Sequence, residues 1–304
     1  MTDNTLRKDF LIERYSLIAE GRGKRPHDFK EAPQEKERCE IDEKCFFCKG
    51  NEHMTPPEIF RKGGEQWTIR GFDNKFAAVS PPEGKHEIIV DSACHDMNLE
   101  DHETGHIREV FLAYEERRKE LDRQFNYTLV FRNRGDAAGA SLKHSHTQLI
   151  ALNMTPTIIA EENENARRYK EENGRCAFCD LIGKEDSKVA TKDDKVVALC
   201  PNAPRFPYEF WLFPKRHVGC FSELDEEEQY AFVDTLKRLA NKLVGGFPDV
   251  SFNFSLHTAP KKSSDWYHFH LEFMPRMSKF AGFELGGGVY ICTTSPENAA
   301  SFYR

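Results

Sequence analysis

The sequence feature that most constrains the fold is an internal repeat of cysteine and histidine positions. In the first half the repeated elements are Cys45-Phe-Phe-Cys48, His95 and His144-Ser-His146. In the second half they are Cys176-Ala-Phe-Cys179, His217 and His268-Phe-His270. The middle histidine follows the first cysteine by 50 residues in the first half and by 41 in the second. The paired histidines begin 49 and 51 residues after the middle histidine, respectively. The same residue types in the same order predict a duplicated fold.

Each half also contains one amphipathic helix after its middle histidine. In the first half the apolar side chains from Ile107 to Leu121 keep the spacing of one helical face. In the second half the apolar face runs from Phe232 to Leu243. We expect this second helix to begin at Ser222, with Asp225 three residues on, and to end at Gly245-Gly246.

Short strands flank these helices. They are predicted at residues 127–132, 144–152, 250–256 and 267–274. Most of them connect without crossover helices, which predicts antiparallel sheets with helices packed on them, an α+β fold. The polar stretch 160–173 is expected to join the halves as a solvated helix. The predicted domains are therefore residues 1–159 and 160–304.

The nine cysteines indicate metal binding rather than a disulfide framework. Their number is odd, and the chain is large for a disulfide-stabilised protein. The cysteines outside the two CxxC pairs are expected to be small buried side chains, and they are Cys39, Cys94, Cys200, Cys220 and Cys292. A CxxC pair with histidines nearby is typical of zinc sites, although a redox pair or two buried thiols would give the same pattern.

Composition and charge narrow the range of partners. Of 304 residues, 39% are hydrophobic and 31% are charged, as in a soluble globular protein. No stretch approaches the roughly 20 apolar residues that a membrane helix needs. The first ten residues are polar and lack the apolar core of a signal peptide, so we expect a cytoplasmic protein. The net charge of −7 argues against nucleic acid or an anionic membrane as partner, which leaves small molecules or other proteins.

The strongest local signal for chemistry lies between Asn133 and Gln148. On a strand, the alternating residues His144, His146 and Gln148 share one face. Three polar side chains on one face are not expected in an apolar core, so we expect a polar group to lie opposite them. The glycine-rich loop before them, which includes Gly139, lets backbone N–H groups approach a phosphate closely. A neutral imidazole can attack the α-phosphorus of a nucleotide, and Gln148 can donate to a phosphoryl oxygen. The pattern predicts a nucleotidyl-histidine, the alternative being that these histidines are only zinc ligands or hydrogen-bonded polar groups.

The segment from Asn133 to Gln148 resembles the active-site strand of the galactose-1-phosphate uridylyltransferase branch of the histidine-triad superfamily. Further segments along nearly the whole chain resemble the same family, namely Arg22–Pro26, Cys45–Glu52, Thr55–Ile59, Asn74–Phe76, Arg205–Trp211, His257–Pro260, His268–His270 and Ala281–Glu284. The resemblance implies two tandem histidine-triad-like halves, a homodimer, and a ping-pong reaction through a uridylylated histidine.

The resemblance also assigns roles to individual residues. It makes His146 the nucleophile, places Ser141 and Gln148 at the phosphates, and gives Asn133 the task of orienting the glycine-rich loop. The residues implied to hold the nucleotide are Arg22, Arg25, Asn74 and Phe76. The residues implied to meet the sugar are Lys279, Phe280, Phe283 and Glu284.

Spacing and resemblance together imply two zinc sites. Two thiolates and two imidazoles form a closed tetrahedral site, which is structural rather than catalytic. The first set of ligands is Cys45, Cys48, His95 and His144. The second set is Cys176, Cys179, His217 and His268. The first metal would anchor the strand that carries His146. We expect no ligand role for His53, His86, His102 and His106.

The second half is expected to lack catalytic activity of its own. No glycine-rich loop precedes His268, and Glu272 stands where the first half has Gln148. A carboxylate at that position would repel a phosphate. We therefore expect one active centre per chain, with His146 and not His270 as the nucleophile. Sugar contacts could come from the other chain of a dimer.

Three functions remain open. The first is transfer of UMP between UDP-hexose and hexose 1-phosphate, which Lys279-Phe280 favours. The second is a phosphorylase that uses inorganic phosphate and takes ADP-glucose or a dinucleoside polyphosphate as donor, which the ending Ala281–Gly288 favours. Lys75 stands where uridylyltransferases often have an acid and leaves the base undetermined. The third, a non-enzymatic zinc-binding module, conflicts with the long halves and the negative charge.

Overall fold

The computed structural model describes residues 4–24, 39, 41–184 and 186–304, and these ranges form thirteen strands and six α-helices. The strands are β1 (Thr5–Lys8), β2 (Tyr15–Ile18), β3 (Glu58–Lys62), β4 (Ile69–Asp73), β5 (Gly84–Val90), β6 (Tyr127–Arg134), β7 (His146–Leu152), β8 (Val189–Lys192), β9 (Val196–Leu199), β10 (Phe210–Pro214), β11 (Phe252–His257), β12 (His270–Pro275) and β13 (Val289–Cys292). The helices are α1 (Thr104–Asp122), α2 (Thr157–Asn173), α3 (Ala177–Gly183), α4 (Glu226–Gly246), α5 (Gly282–Gly287) and α6 (Pro296–Tyr303).

One sheet of ten strands runs through both halves, in the order β3-β4-β5-β7-β6-β11-β12-β10-β9-β8. Every neighbouring pair in this sheet is antiparallel. The halves meet where β6 pairs with β11, with Val130 opposite Leu256. A smaller sheet has the order β1-β2-β13 and includes one parallel pair, β2 with β13. The arrangement confirms the predicted α+β fold with antiparallel sheets.

The two long helices pack against each other over the centre of the large sheet. The predicted apolar face of α1 is buried, and its Phe111 lies 6.3 Å from the ring of Phe232 on α4 and 6.3 Å from that of Phe254 on β11. One helix from each half therefore contributes to a shared core. Among the residues with assigned structure, no helix combines the length and the apolar character needed to cross a membrane.

Helix α4 begins later than predicted. Asp225 is its N-cap, since the carboxylate accepts from the backbone N–H of Glu228 at 2.8 Å and the carboxylate of Glu228 accepts from the N–H of Asp225 at 2.9 Å. Ser222 lies instead in a short 3-10 turn, and its hydroxyl donates to Glu115. The prediction of Ser222 as the start was wrong because the reciprocal Asp225–Glu228 pair satisfies two terminal N–H groups. The predicted end at Gly246 is confirmed.

Strand limits differ from the prediction mainly at the paired histidines. Strand β7 begins at His146 rather than at residue 144, and β12 begins at His270 rather than at residue 267. In both halves the first histidine of the pair turns toward a cysteine pair. The backbone joins the sheet only at the second histidine.

The segment that joins the halves, α2, is more than a solvated linker. Glu162 and Ala166 on its inner face are buried, and the carboxylate of Glu162 accepts from the hydroxyl of Tyr267 at 2.6 Å. The expectation of a fully solvated helix was therefore wrong for this face. The helix begins at Thr157, so the expected boundary between residues 159 and 160 lies inside it.

Two of the single cysteines are not free buried thiols. Cys39 is exposed and forms a disulfide with Cys94, 55 residues away, so the prediction of free thiols was wrong for this pair. The fold brings the two residues together, and their spacing gave no sign of it. Cys200 and Cys292 are buried as predicted, and Cys220 is half-buried.

A buried carboxylate holds the strand that carries His146. Asp91, directly after β5, accepts hydrogen bonds from Ser145 at 3.1 Å, from Tyr114 at 2.7 Å and from Arg132. Thr147 donates to the same carboxylate at 3.2 Å. Because side chains alternate along a strand, Ser145 and Thr147 point away from the face of His146. Asp91 therefore holds β7 through the strand face opposite His146.

Replacing Tyr114 by Phe removes one donor to Asp91 and leaves the ring in place. We expect Tyr114→Phe to lower the free energy of unfolding by about 2 kcal/mol, since a bond to a buried charge is lost. Urea denaturation measures the change. Tyr230→Phe, at a partly exposed position on α4, is the matched control and should change the free energy by less than about 0.5 kcal/mol. Equal effects of the two substitutions would contradict the role of Asp91.

Candidate active site and metal clusters

His146 begins β7 and lies opposite Val90 on β5. Its ring Nδ1 donates to the carbonyl oxygen of His144 at 2.8 Å. A neutral imidazole carries one ring proton, so this bond leaves the lone pair of Nε2 free. Burial lowers the pKa of His146, which keeps the ring neutral near pH 7. The ring therefore has the tautomer that a nucleophile needs.

A cavity of about 320 Å³ opens beside His146. Its apolar wall consists of Phe46, Phe47, Met54, Pro56, Phe72, Phe76, Ile88 and Leu142. Its polar groups come from Thr55, Asn74, Lys75, His86, Ser141, His146 and Gln148. An apolar pocket with a few convergent polar groups is typical of a small-molecule site. The structure thus brings together five of the predicted site residues, Asn74, Phe76, Ser141, His146 and Gln148.

The glycine-rich loop borders a second cavity, of about 670 Å³. Ser141 lines both cavities, so the two are adjacent. Gly135 has φ +80°, and a Cβ there would lie 2.3 Å from the hydroxyl of Ser251, so a larger residue does not fit. Gly139 has φ +82°, and a Cβ there would face open space, but its backbone N–H already donates to the carbonyl oxygen of Asp136 at 2.9 Å.

Asn133 is held by a residue that the sequence analysis did not identify. Asn253 on β11 donates from Nδ2 to Oδ1 of Asn133 and to the carbonyl oxygen of Ala138, both at 2.8 Å. Its own Oδ1 accepts from Arg276 at 3.0 Å. A side chain of the second half therefore fixes the glycine-rich loop of the first half. No local pattern marks Asn253, because its role depends on the pairing of β11 with β6.

Part of the predicted binding set lies apart from the His146 cavity. Lys279 and Glu284 border a third cavity, of about 780 Å³, together with Arg22. Arg22 thus lies beside the segment assigned to the sugar rather than beside the other residues assigned to the nucleotide. Arg25 falls outside the described residues.

The two aromatic residues of the predicted sugar segment differ in their surroundings. Phe280 stacks on Phe206, with ring centroids 4.7 Å apart and planes inclined by 18°. Phe283 is 52% exposed and Leu285, also on α5, is 75% exposed. Helix α5 therefore presents two large apolar side chains to solvent.

The first cysteine–histidine set forms a compact cluster. The ligand atoms of Cys45, Cys48, His95 and His144 all lie within 4.8 Å of one another. Nδ1 of His144 is 3.5 Å from each sulfur, and Nδ1 of His95 is 3.5 Å from Sγ of Cys48. Nε2 of His144 donates to the carbonyl oxygen of Ser92 at 2.8 Å, which leaves Nδ1 unprotonated and turned to the sulfurs.

The second set repeats this geometry. The ligand atoms of Cys176, Cys179, His217 and His268 lie within 4.8 Å of one another. Sγ of Cys179 is 3.3 Å from Nδ1 of His217 and 3.4 Å from Nδ1 of His268. The Nε2 atoms donate to the carbonyl oxygens of Ser264 at 2.7 Å and of Pro214 at 2.9 Å.

These distances fit a tetrahedral metal. Bond lengths of about 2.3 Å to sulfur and about 2.0–2.1 Å to nitrogen place a thiolate and an imidazole nitrogen about 3.5 Å apart around one zinc ion. The observed sulfur–nitrogen distances are 3.3–3.5 Å in both clusters. Both clusters are therefore compatible with zinc in geometry and in donor type.

A third buried cluster, which the sequence analysis did not predict, lies in the second half. It consists of Glu162, His257, His270 and Glu272. Arg205 donates to Glu272 at 2.7 Å and to Glu209 at 2.6 Å. Burial alone would raise the pKa of Glu272, but the charges of Arg205, His257 and Arg14 hold it well below its usual range. Glu272 is thus an ionised partner of a buried guanidinium.

His270 repeats the backbone geometry of His146 without its access. Its Nδ1 donates to the carbonyl oxygen of His268 at 2.9 Å, as that of His146 does to His144. Its ring, however, is fully buried against Phe213, with centroids 4.9 Å apart. The two halves therefore share one histidine geometry, but the ring of His146 borders an open cavity, whereas the ring of His270 is enclosed by other side chains of the described part of the chain.

Comparisons with known proteins identify relatives of this chain. Residues 92–301 match a family profile described as a domain of unknown function, DUF4921. ADP-glucose phosphorylase of Arabidopsis thaliana is 31% identical over 98% of this chain and 92% of its own length. Galactose-1-phosphate uridylyltransferase of Thermotoga maritima is 29% identical over 72% of this chain and 73% of its own.

Solved structures identify relatives as well. The crystal structure of the Arabidopsis thaliana ADP-glucose phosphorylase with bound ADP-glucose superposes with a TM-score of 0.87, at 29% identity and 99% coverage of both chains. A uridylyltransferase structure superposes with a TM-score of 0.75, at 26% identity, over 99% of this chain and 97% of the other.

The ion network around Arg205 predicts a large effect of its removal. Arg205→Met would remove the cation that two buried carboxylates, Glu209 and Glu272, share, and should lower the free energy of unfolding by about 3–5 kcal/mol. Urea denaturation monitored by fluorescence measures the loss. Arg216→Met, which breaks the more exposed pair with Glu228, should cost less than about 1 kcal/mol. A loss at Arg205 no larger than at Arg216 would rule out the network as a stabilising feature.

Proposed function

The chain belongs to the family of ADP-glucose phosphorylase and galactose-1-phosphate uridylyltransferase and is a nucleotidyltransferase, and we propose that it transfers a nucleoside monophosphate through a covalent bond to His146. The leading candidate reaction moves UMP between UDP-hexose and hexose 1-phosphate in two steps. The observation that carries the proposal is the open cavity beside His146, together with the bond to His144 that leaves Nε2 free to attack.

In the first step, the lone pair of Nε2 of His146 forms a bond to the α-phosphorus of the nucleotide sugar. The bond from this phosphorus to the bridging oxygen breaks, and the electron pair leaves with the sugar phosphate. In the second step, an oxygen of the acceptor phosphate attacks the same phosphorus, and the electron pair of the N–P bond returns to Nε2. Splitting the transfer in this way replaces one difficult displacement by two easier ones.

The neighbouring residues supply the binding contacts for this chemistry. Ser141 and the amide of Gln148 are the donors to phosphoryl oxygens, and both line the cavity beside His146. Asn74 and Phe76 hold the nucleoside part between apolar walls. Donors fixed before the reaction stabilise the developing charge without reorganisation.

A second candidate reaction is phosphorolysis of ADP-glucose, in which inorganic phosphate is the acceptor. It is favoured by the comparison with the Arabidopsis thaliana ADP-glucose phosphorylase, at 31% identity over nearly the full chain and a TM-score of 0.87. A dinucleoside polyphosphate as donor belongs to the same class of reaction. All of these reactions use the same nucleotidyl-histidine and differ in base and acceptor.

We further propose that both cysteine–histidine clusters bind structural zinc. Cys45, Cys48, His95 and His144 would hold one ion, and the equivalent set of the second half would hold the other. The sulfur–nitrogen distances and the fixed imidazole tautomers support the assignment. Each bound zinc would cross-link distant segments of the chain, because protein side chains would occupy all four coordination positions of the ion.

We also propose a homodimer of two-half chains, residues 1–159 and 160–304. The segment that contains Lys279, Phe280 and Glu284 lies apart from the His146 cavity of its own chain, and Phe283 is exposed. A partner copy could therefore bring this segment to the sugar.

The proposed small-molecule partners are a nucleotide sugar and, as acceptor, a sugar phosphate or inorganic phosphate. We also propose a cytoplasmic location, because the thiols of both clusters must stay reduced to bind metal, and the Cys39–Cys94 disulfide lies outside both clusters.

The covalent intermediate can be tested directly. After separate incubation with UDP-glucose, UDP-galactose, ADP-glucose and a dinucleoside polyphosphate, intact-protein mass spectrometry should find an acid-labile nucleoside monophosphate adduct with at least one donor. His146→Ala should form no adduct, and its turnover should fall at least about a thousandfold. The mass of the adduct identifies the base and so separates UMP from AMP transfer.

The control for this experiment is the equivalent residue of the other half. His270→Gln should retain the adduct, because His270 has no open cavity beside it. An adduct that survives in His146→Ala, or no adduct from any of the four donors, would refute the assignment of His146 as nucleophile.

The zinc proposal predicts metal content. The wild-type chain should carry two equivalents of zinc, as measured by inductively coupled plasma mass spectrometry. Cys48→Ser and Cys179→Ser should each lower the zinc content to one equivalent. Cys220→Ser, outside both clusters, should keep two equivalents. Cys48→Ser should also slow adduct formation, because its cluster includes His144, which holds His146. Unchanged metal content in both cluster variants would exclude these residues as ligands.

A further inference from the structure

We infer that His86 is a positioning residue that fixes the side-chain amide of Gln148, with its two N–H donors turned toward the phosphoryl site beside His146. This inference rests on the proposed function, because it assigns a task to Gln148 within that reaction. The sequence analysis expected only that His86 is not a metal ligand. The structure places its imidazole in the wall of the His146 cavity, 94% shielded from solvent.

Strand pairing brings the two side chains together. Gln148 on β7 lies opposite Ile88 on β5, and His86 lies two residues before Ile88 on the same face. Residues in such diagonal positions are within reach of long side chains. Nε2 of His86 is 3.0 Å from Oε1 of Gln148, which is hydrogen-bond distance.

The direction of this hydrogen bond follows from a second contact of the same ring. The backbone N–H of Ala78 donates to Nδ1 of His86 at 3.1 Å, so Nδ1 carries a lone pair. A neutral imidazole then has its proton on Nε2 and donates to Gln148. Burial lowers the pKa of His86, which agrees with a neutral ring at pH 7. The Gln148 atom that faces His86 must therefore be the oxygen.

With the oxygen of Gln148 bound to His86, its NH₂ group is the part left for a ligand. The terminal torsion of a glutamine is soft and roughly two-fold, so a free amide would present oxygen and nitrogen about equally. An amide oxygen turned toward a phosphoryl oxygen is repulsive, whereas an N–H donor is attractive. His86 removes the unproductive orientation before the substrate arrives.

The same imidazole also contacts the loop assigned to the nucleoside. The backbone N–H of Asn74 donates to the carbonyl oxygen of His86 at 2.9 Å, and its side-chain nitrogen lies within 3.4 Å of both ring nitrogens. The Oδ1 atom of Asn74 accepts from the N–H of Phe76 at 2.9 Å. His86 therefore lies between the residues that hold the nucleoside and the residue that meets the phosphate.

A double-mutant cycle on the full-length zinc protein tests this inference. His86→Ala should lower kcat about tenfold with KM for the nucleotide sugar changed less than about twofold, because the loss falls on charge stabilisation in the transition state. Gln148→Ala should lower kcat at least as much. In the Gln148→Ala background, His86→Ala should cause no further loss of kcat, because the side-chain amide that His86 positions is then already absent.

Two further variants separate positioning from folding. His86→Gln, which keeps an N–H donor near the position of Nε2, should recover most of the lost rate. Lys85→Ala, on the opposite face of β5 where Lys85 pairs with Asp73 and Glu87, should leave kcat unchanged. Zinc content and circular dichroism should match the wild type in every variant.

The outcomes distinguish this inference from the proposed function. Independent, multiplying losses in the double variant, or normal kcat in His86→Ala, would overturn the inference while His146 remained the nucleophile. Failure of His86→Gln to recover any rate would also overturn it, since a donor at that position is what the inference requires. A wild-type chain that forms no adduct with any donor would instead remove the proposed function.

Discussion

The placement of the active centre depends on the buried carboxylate of Asp91. Its bonds to Ser145 and Thr147 hold β7 from one face, and the alternation of side chains then directs His146 and Gln148 to the other. Arg132 and Tyr114 complete the set of donors around the charge. A buried carboxylate must keep its partners, so the strand has little freedom to shift. His146 is held in place because the opposite face of its own strand is bonded to a fixed buried charge.

Both halves have the same histidine geometry, but their surroundings differ, and an open cavity borders His146. In each half the first histidine of the pair joins two cysteines, and the second donates from Nδ1 to the carbonyl oxygen of the first. Around His146 the wall opens to a cavity whose polar groups include Ser141 and Gln148. Around His270 aromatic rings and the Glu272–Arg205 ion pair fill the equivalent space.

Much of the site could be predicted because its chemistry is local in the sequence. The cysteine pairs, the paired histidines and Gln148 follow from spacing and strand alternation, and the structure groups them as expected. Other features depend on contacts between distant segments. The bond of Asn253 to Asn133 needs the pairing of β11 with β6, and the Cys39–Cys94 disulfide joins residues 55 positions apart. The start of α4 was misplaced because two adjacent capping patterns compete there.

The sequence by itself determined the duplicated architecture and which cysteines and histidines group together, and it led to the prediction of His146 rather than His270 as nucleophile, because residue type and periodicity are properties of a single strand or turn. Only the tertiary structure decided which side chains of different strands meet. It placed His86 against Gln148, Asn253 against the glycine-rich loop, and Lys279 away from the cavity of its own chain. The physical reason is register: strand pairing sets which residues oppose one another, and it is fixed by the whole core rather than by any one segment.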